Sequence, residues 1–141
     1  MKKTVVFIHG AWMTSLCWQK FISFFETKGF HCLAPSWPYD ERPLAELRAS
    51  PDPRLAKLGI SEIVSHYEKI IRALLEPPIL IGHSFGGLFV QMLLDRGLGT
   101  SGIAIDSAPP KGVLSIYWSV IKSISWILRT PGGQHKLLSI P

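Results

Sequence analysis

The chain has 141 residues, 47% of them apolar, and a formal net charge of +5. That length allows one domain or less, and that apolar share is enough to bury a core. The basic residues, among them Lys2, Lys3, Lys20, Lys28, Arg42, Arg72, Lys122 and Arg129, are scattered and form no tract interleaved with aromatics, so nothing points to nucleic-acid binding.

Lys2-Lys3 ahead of Val5-Val6-Phe7-Ile8 has the outline of a secretory signal, but the apolar run is too short and His9-Gly10 ends it. Thr4–Ile8 instead predicts a buried strand that turns at His9-Gly10-Ala11. Ser15 is placed to cap a helix over residues 16–28, with Phe21, Phe24 and Phe25 on its apolar face and Gly29 as its stop. Residues 30–34 predict a second strand. Residues 35–53 carry five prolines and read as an ordered surface loop. A helix follows from Gly59-Ile60-Ser61, with Ser61 as its cap. Ile63, Val64, Tyr67, Ile70, Ile71, Leu74 and Leu75 recur along it at intervals of three and four, and Glu76-Pro77-Pro78 ends it.

Ile79-Leu80-Ile81 is a short continuous apolar run that suits a buried parallel strand. Leu88, Phe89, Met92 and Leu93 take up helical spacing, so a helix begins at about Phe85 and runs until Gly97 and Gly99. Residues 102–106 predict a fourth strand. Strands alternating with helices predict an α/β fold, a parallel sheet with flanking helices and right-handed crossovers. Residues 108–112 read as a linker. Beyond them Leu114, Tyr117, Trp118, Ile121, Ile124 and Leu128 trace an amphipathic helix; Lys122 and several serines make it a poor membrane span. Cys17 and Cys32 have neither metal-ligand spacing nor a disulfide framework. They read as small buried thiols of a reducing, cytoplasmic setting, and no residue set predicts a metal or a cofactor.

The stretch that carries chemistry is Gly82-His83-Ser84-Phe85-Gly86-Gly87. It places a hydroxyl between a strand and a helix with almost no loop. So tight a turn forces an unfavourable backbone angle on its central residue, while Gly82 and Gly86 occupy positions where side chains would collide and Gly87 lets the helix approach the sheet. This is the Gly-x-Ser-x-Gly pattern of a nucleophile elbow.

With His9-Gly10-Ala11-Trp12 after the first strand and the Ser84 elbow after the third, the chain resembles the α/β-hydrolase superfamily from Lys3 to about Ala108. The resemblance implies that Ser84 is the nucleophile. It also implies that the backbone N–H groups of Ala11 and Phe85 form the oxyanion hole, Phe85 having in addition the free N–H groups and dipole of a helix start. It implies no cofactor. A serine at the elbow stands against the chemistry of dehalogenases and epoxide hydrolases, which use Asp there. The resemblance also divides the chain into residues 1–108, the N-terminal part of the core, and 109–141, the start of a helical lid, with one more sheet-packing helix as the other reading of that segment.

A serine needs a base, and the family's order is Ser, then Asp or Glu, then His. His9 and His83 belong to the two motifs, His31 starts a strand, and His66 lies on a helix where it is expected to face solvent. His135 follows the elbow but has no later strand to hold it. Asp106, at the end of the fourth strand, is the candidate acid, or else a turn-capping residue. Asp40, Asp52 and Asp95 have no motif support. The expectation is a chain that holds a nucleophile and an oxyanion hole, with its base supplied by sequence beyond these residues, in a complementing C-terminal half, or else a self-associating chain. The expected activity is hydrolysis of an ester or related acyl bond in a small apolar substrate, Trp12 helping to line its pocket. Lyase or cofactor-free haloperoxidase chemistry on the same fold, and a non-catalytic binding module, are the alternatives.

Overall fold

A computed structural model describes residues 2–113 and, beyond them, Trp118, Lys122, Ser125 and Arg129, each of them helical. The rest of the predicted helix over 114–128 and His135 lie outside the described residues. Among the described residues four strands form one sheet: β1 (Thr4–Ile8), β2 (His31–Leu33), β3 (Ile79–His83) and β4 (Ser101–Ile105). Their order is β2-β1-β3-β4 and every pairing is parallel. The helices between them are α1 (Gln19–Thr27), α2 (Leu44–Ala49), α3 (Ile60–Arg72) and α4 (Phe85–Asp95).

Apolar runs in β1 and β3 follow from burial on both faces. Alternate residues of β1 enter two separate cores. Val6 and Ile8 pack with Ile63, Val64, Tyr67, Phe89 and Leu93 beneath α3 and α4. Val5 and Phe7 pack with Trp18 and Ile81 on the α1 face. Phe7 anchors that face, its ring 5.1 Å from Trp18 and 5.6 Å from Phe25. Each aliphatic side chain buried this way contributes roughly 1.5–3 kcal/mol.

Several local expectations are corrected. Ser15 does not cap a helix: residues Ser15–Trp18 form a 3₁₀ turn after Thr14, and the Ser15 hydroxyl accepts a bond from Ser36 instead. Ser61 lies inside α3, whose cap is Gly59. There the Glu62 carboxylate reaches back to accept the Gly59 N–H at 3.0 Å. That arrangement needs only a backbone donor, so a side-chain cap was the wrong signal. α3 stops at Arg72, leaving Leu75 exposed. The proline-rich segment holds α2, started by Pro43 and anchored by buried Leu47; one buried residue in six gives no periodicity to read. His66 is half-buried, not solvent-facing, and its Nε2 donates to the Ser36 carbonyl at 3.1 Å. Beside it the buried Tyr67 hydroxyl donates to the Pro35 carbonyl at 2.8 Å. A Cβ on Gly87 would meet Ser107, just beyond β4, at 3.0 Å.

Candidate functional site

The chain passes from β1 to β2 on one side of the sheet and then back across β1 to β3 on the other. Between β1 and β3, connections therefore leave the sheet in opposite directions. In open parallel sheets, ligands bind at the carboxyl ends of strands at such a switch point. Here those ends are His9-Gly10 and Ser84. Four non-glycine residues among those described have positive φ: Trp12 (60°), Tyr39 (70°), Ser84 (56°) and Asp106 (43°). Each follows one of the four strands, so backbone strain collects at one end of the sheet. Such residues persist only where surrounding structure over-determines them.

At Ser84 the determinants are visible. With φ 56° and ψ −120° it stands in a region that glycine ordinarily occupies, at a cost of about 1–3 kcal/mol. Its N–H donates to the Ile105 carbonyl at 3.0 Å. Its own carbonyl accepts from Gly87 (3.0 Å), Leu88 (3.3 Å) and Ala108 (3.0 Å). The corner is thus tied both to α4 and to the loop after β4. A side chain on Gly82 would overlap the Gly86 carbonyl group, and one on Gly86 would overlap the Ile8 carbonyl oxygen. A Cβ on Gly10 would sit 2.9 Å from Ser84 Cβ and 3.5 Å from Ser84 Oγ, so the His-Gly turn lies directly against the serine. Phe85 is the first residue of α4, and its N–H has no acceptor within the helix.

His9 is buried and its hydrogen bonds specify one tautomer. Nδ1 lies 3.0 Å from the Gly10 carbonyl oxygen, and the Trp37 N–H points at Nε2 from 3.3 Å. A carbonyl needs a proton on Nδ1; an N–H needs a bare Nε2. The Trp37 indole N–H donates to the His9 carbonyl at 3.2 Å and its ring stacks on the imidazole at 5.2 Å. The Asp40 carboxylate stands 3.7 Å from Nε2, an approach that would suit an ion pair. Burial, however, lowers the His9 pKa, and the bond to Gly10 offsets this only in part. With Nε2 already accepting from Trp37, His9 is neutral and the Asp40 contact is not a salt bridge.

Asp40 keeps 14% of its side-chain surface, and burial, helped by Glu41, raises its pKa to about 6. The folded state therefore holds a proton that the unfolded chain has released between about pH 4 and pH 6. Asp40 loses stability for the protein as pH rises through that window. Asp40→Asn is expected to change nothing near pH 4 and to gain roughly 1–2 kcal/mol at pH 7.5, read from urea midpoints. Neutral His9 acts with the opposite sign, so the difference between the two proteins isolates Asp40. An equal gain at both pH values would show that its charge is not the cause.

The structure brings Gly10, Ser84 and the start of α4 together, as the two motifs require. Trp12 is 54% exposed beside them. Asp106 is exposed, one residue past β4, and no hydrogen bond or ion pair joins its carboxylate to a described residue. The Ser84 hydroxyl has no hydrogen-bond partner among the described residues. His9 and His66 are engaged elsewhere, His31 is exposed at the far end of β2, and the buried Nδ1 of His83 is unpartnered. Sequence reasoning missed Trp37 and set Asp40 aside for want of a motif. Their only signal was an aromatic and an acid in a segment after a strand end, which many loops share. Among the described residues no group of His, Cys, Asp and Glu is arranged to hold a metal, and no helix is long and apolar enough to cross a membrane.

Among solved structures, an extracellular alpha/beta-hydrolase from a Paenibacillus species is 21% identical with a TM-score of 0.64, over 89% of this chain and 50% of that one. Tomato methylketone synthase I is 21% identical with a TM-score of 0.64, over 93% of this chain and 50% of that one. The monoacylglycerol lipase of Paleococcus ferrophilus is 23% identical with a TM-score of 0.59, over 89% and 46%. The chain thus spans half the length of these proteins or less, and at such identities the likeness is one of fold. No protein in the curated collection matches it. The family model described as the alpha/beta hydrolase family matches residues 5–138. A parallel sheet with a strained serine at its switch point agrees with that match, and the chain belongs to the alpha/beta hydrolase family.

Proposed function

We propose that this chain carries the nucleophile and oxyanion hole of a serine hydrolase that cleaves an ester or related acyl bond in a small apolar substrate. The observation that carries the reading is the backbone of Ser84, held at φ 56° by bonds to α4, Ile105 and Ala108. A serine that only filled a turn would have no reason to keep that strain. In the reaction, Ser84 Oγ attacks the acyl carbon while a histidine takes its proton. The tetrahedral oxyanion rests on the N–H groups of Ala11 and Phe85. The histidine then protonates the leaving alcohol, and water releases the acyl group by the same steps. Each oxyanion donor is worth about 10²–10³ in rate. Trp12 supplies apolar surface for the substrate. Residues 1–108 form the catalytic half of the core and 109–141 begin the lid. Asp106 either orients the histidine or serves only its turn. The base comes from sequence outside these 141 residues; the lack of a partner for the Ser84 hydroxyl among the described residues and the greater length of the similar structures support this. The unpaired thiols Cys17 and Cys32 support a reducing, cytoplasmic compartment.

A fluorophosphonate probe, applied to the chain joined to the C-terminal half of a related hydrolase, is expected to label the wild type and to leave Ser84→Ala unlabelled. Equal labelling of the two, or none in a folded fusion, would remove Ser84 as the nucleophile. The family fold also serves non-hydrolytic chemistry. A p-nitrophenyl ester and a cyanohydrin offered to the same fusion separate hydrolase from lyase, with turnover expected on the ester alone.

A further inference from the structure

The Gly10 carbonyl and the Ala11 N–H belong to one rigid peptide plane and point in opposite directions across it. Whatever fixes the carbonyl therefore aims the N–H. His9 Nδ1 lies 3.0 Å from that carbonyl oxygen. The ring is itself held on its other side. Trp37 donates its main-chain N–H to Nε2, stacks on the imidazole, and anchors its indole N–H on the His9 carbonyl. Phe89 backs Trp37 at 5.6 Å. A ring flip would put carbon atoms against both Gly10 and Trp37, losing two bonds at a site with 1% exposure.

We infer that His9 is a positioning residue: locked as the neutral Nδ1–H tautomer by the Trp37 main chain, it clamps the Gly10 carbonyl and so aims the Ala11 N–H at the acyl oxygen above Ser84. The inference rests on the oxyanion-hole reading proposed above. It extends that reading through two residues that never touch substrate, one on the β1 turn and one on the loop after β2. A histidine that merely filled the core would tolerate either tautomer. Here the acceptor at Nδ1 and the donor at Nε2 independently demand the same one.

Long-range ¹H–¹⁵N spectra of the 141-residue chain at pH 8 test the tautomer without any substitution. The expected result is a protonated Nδ1 and a bare Nε2 on His9; an Nε2–H tautomer or an imidazolium overturns the inference. Two substitutions then divide the ring's functions. In His9→Asn the side-chain amide nitrogen takes the place of Nδ1 and keeps the donor to Gly10. In His9→Gln the polar atoms take the place of Nε2 and the donor is lost. The Ala11 amide signal is expected to stay near its wild-type position in His9→Asn and to shift, with faster hydrogen exchange, in His9→Gln. Equal displacement in both overturns the clamp. In the fusion with a C-terminal half, fluorophosphonate labelling is expected to be roughly ten-fold slower in His9→Gln than in His9→Asn; equal rates also count against it. Failure of the nucleophile reading is distinguishable. It abolishes Ser84 labelling in the wild type and leaves the tautomer and amide results to decide the clamp, whereas an Nε2–H spectrum with labelling intact removes the role of His9 alone.

Discussion

Gly86→Ala is expected to destabilise the chain by more than about 3 kcal/mol, a large part of the 5–15 kcal/mol that holds a typical domain together. The methyl group would overlap the Ile8 carbonyl oxygen, with the Ile8 carbonyl carbon at 2.7 Å and the His9 oxygen at 2.9 Å. All three are backbone atoms at the end of a fully buried strand, so no side-chain rotation relieves them. Relief requires moving α4 away from β1, which would pull Ser84 from its bonds to Ile105 and Ala108. Gly59→Ala is the control. Gly59 has an ordinary φ of −90°, and an added Cβ would meet only the end of the Glu62 side chain, at 3.5 Å. A loss under about 1 kcal/mol is expected there. Urea unfolding followed by tryptophan fluorescence measures both, and similar midpoints for the two variants would show that the approach of α4 to β1 is not as close as described.

The 141 residues alone are expected to show no ester hydrolysis above the Ser84→Ala level. Joining them to a C-terminal half, in cis or as a separate chain, is expected to raise Ser84-dependent turnover by at least about 10⁴-fold. Loss of one triad member in a serine hydrolase costs on that order, because an unassisted hydroxyl stays protonated at neutral pH. No described histidine bonds Ser84 Oγ. The same half is expected to improve solubility. Among the described residues β4 lies at the edge of the sheet with no strand on its outer side, and Ile103 upon it is 51% exposed. Such an edge invites association. Turnover of a p-nitrophenyl ester and light scattering, with and without the second half, measure both effects. A monodisperse monomer that hydrolyses the ester through Ser84 would overturn the proposal, and loss of that activity in His135→Ala would then identify the base.

Periodicity and turn chemistry act over a few residues, and features governed at that range were legible in the sequence. Val5-Val6-Phe7-Ile8 and Ile79-Leu80-Ile81 are apolar without alternation because both faces of a parallel strand are covered. The Ser84 corner was legible because a strand cannot pass into a helix in one residue without a strained angle and glycines around it; φ 56° and the overlaps at Gly82 and Gly86 are what that spacing demands. Helix caps failed where the partner was backbone, as at Gly59, and α2 failed because Leu47 alone is buried in it. Other features depended on groups far apart in the chain. His9 and Trp37 are separated by 27 residues, and nothing in either neighbourhood specifies that the N–H of one meets the Nε2 of the other. The tautomer of His9, the raised pKa of Asp40 and the gathering of Trp12, Tyr39, Ser84 and Asp106 at one end of the sheet arise only when β2 docks beside β1 and β3 crosses to its other side. Sequence by itself determined which residues could be strand, helix and strained corner, because those depend on backbone sterics and local burial. Tertiary structure alone decided how the polar groups around them are paired, because hydrogen bonds and desolvation depend on which distant segments share the same buried space.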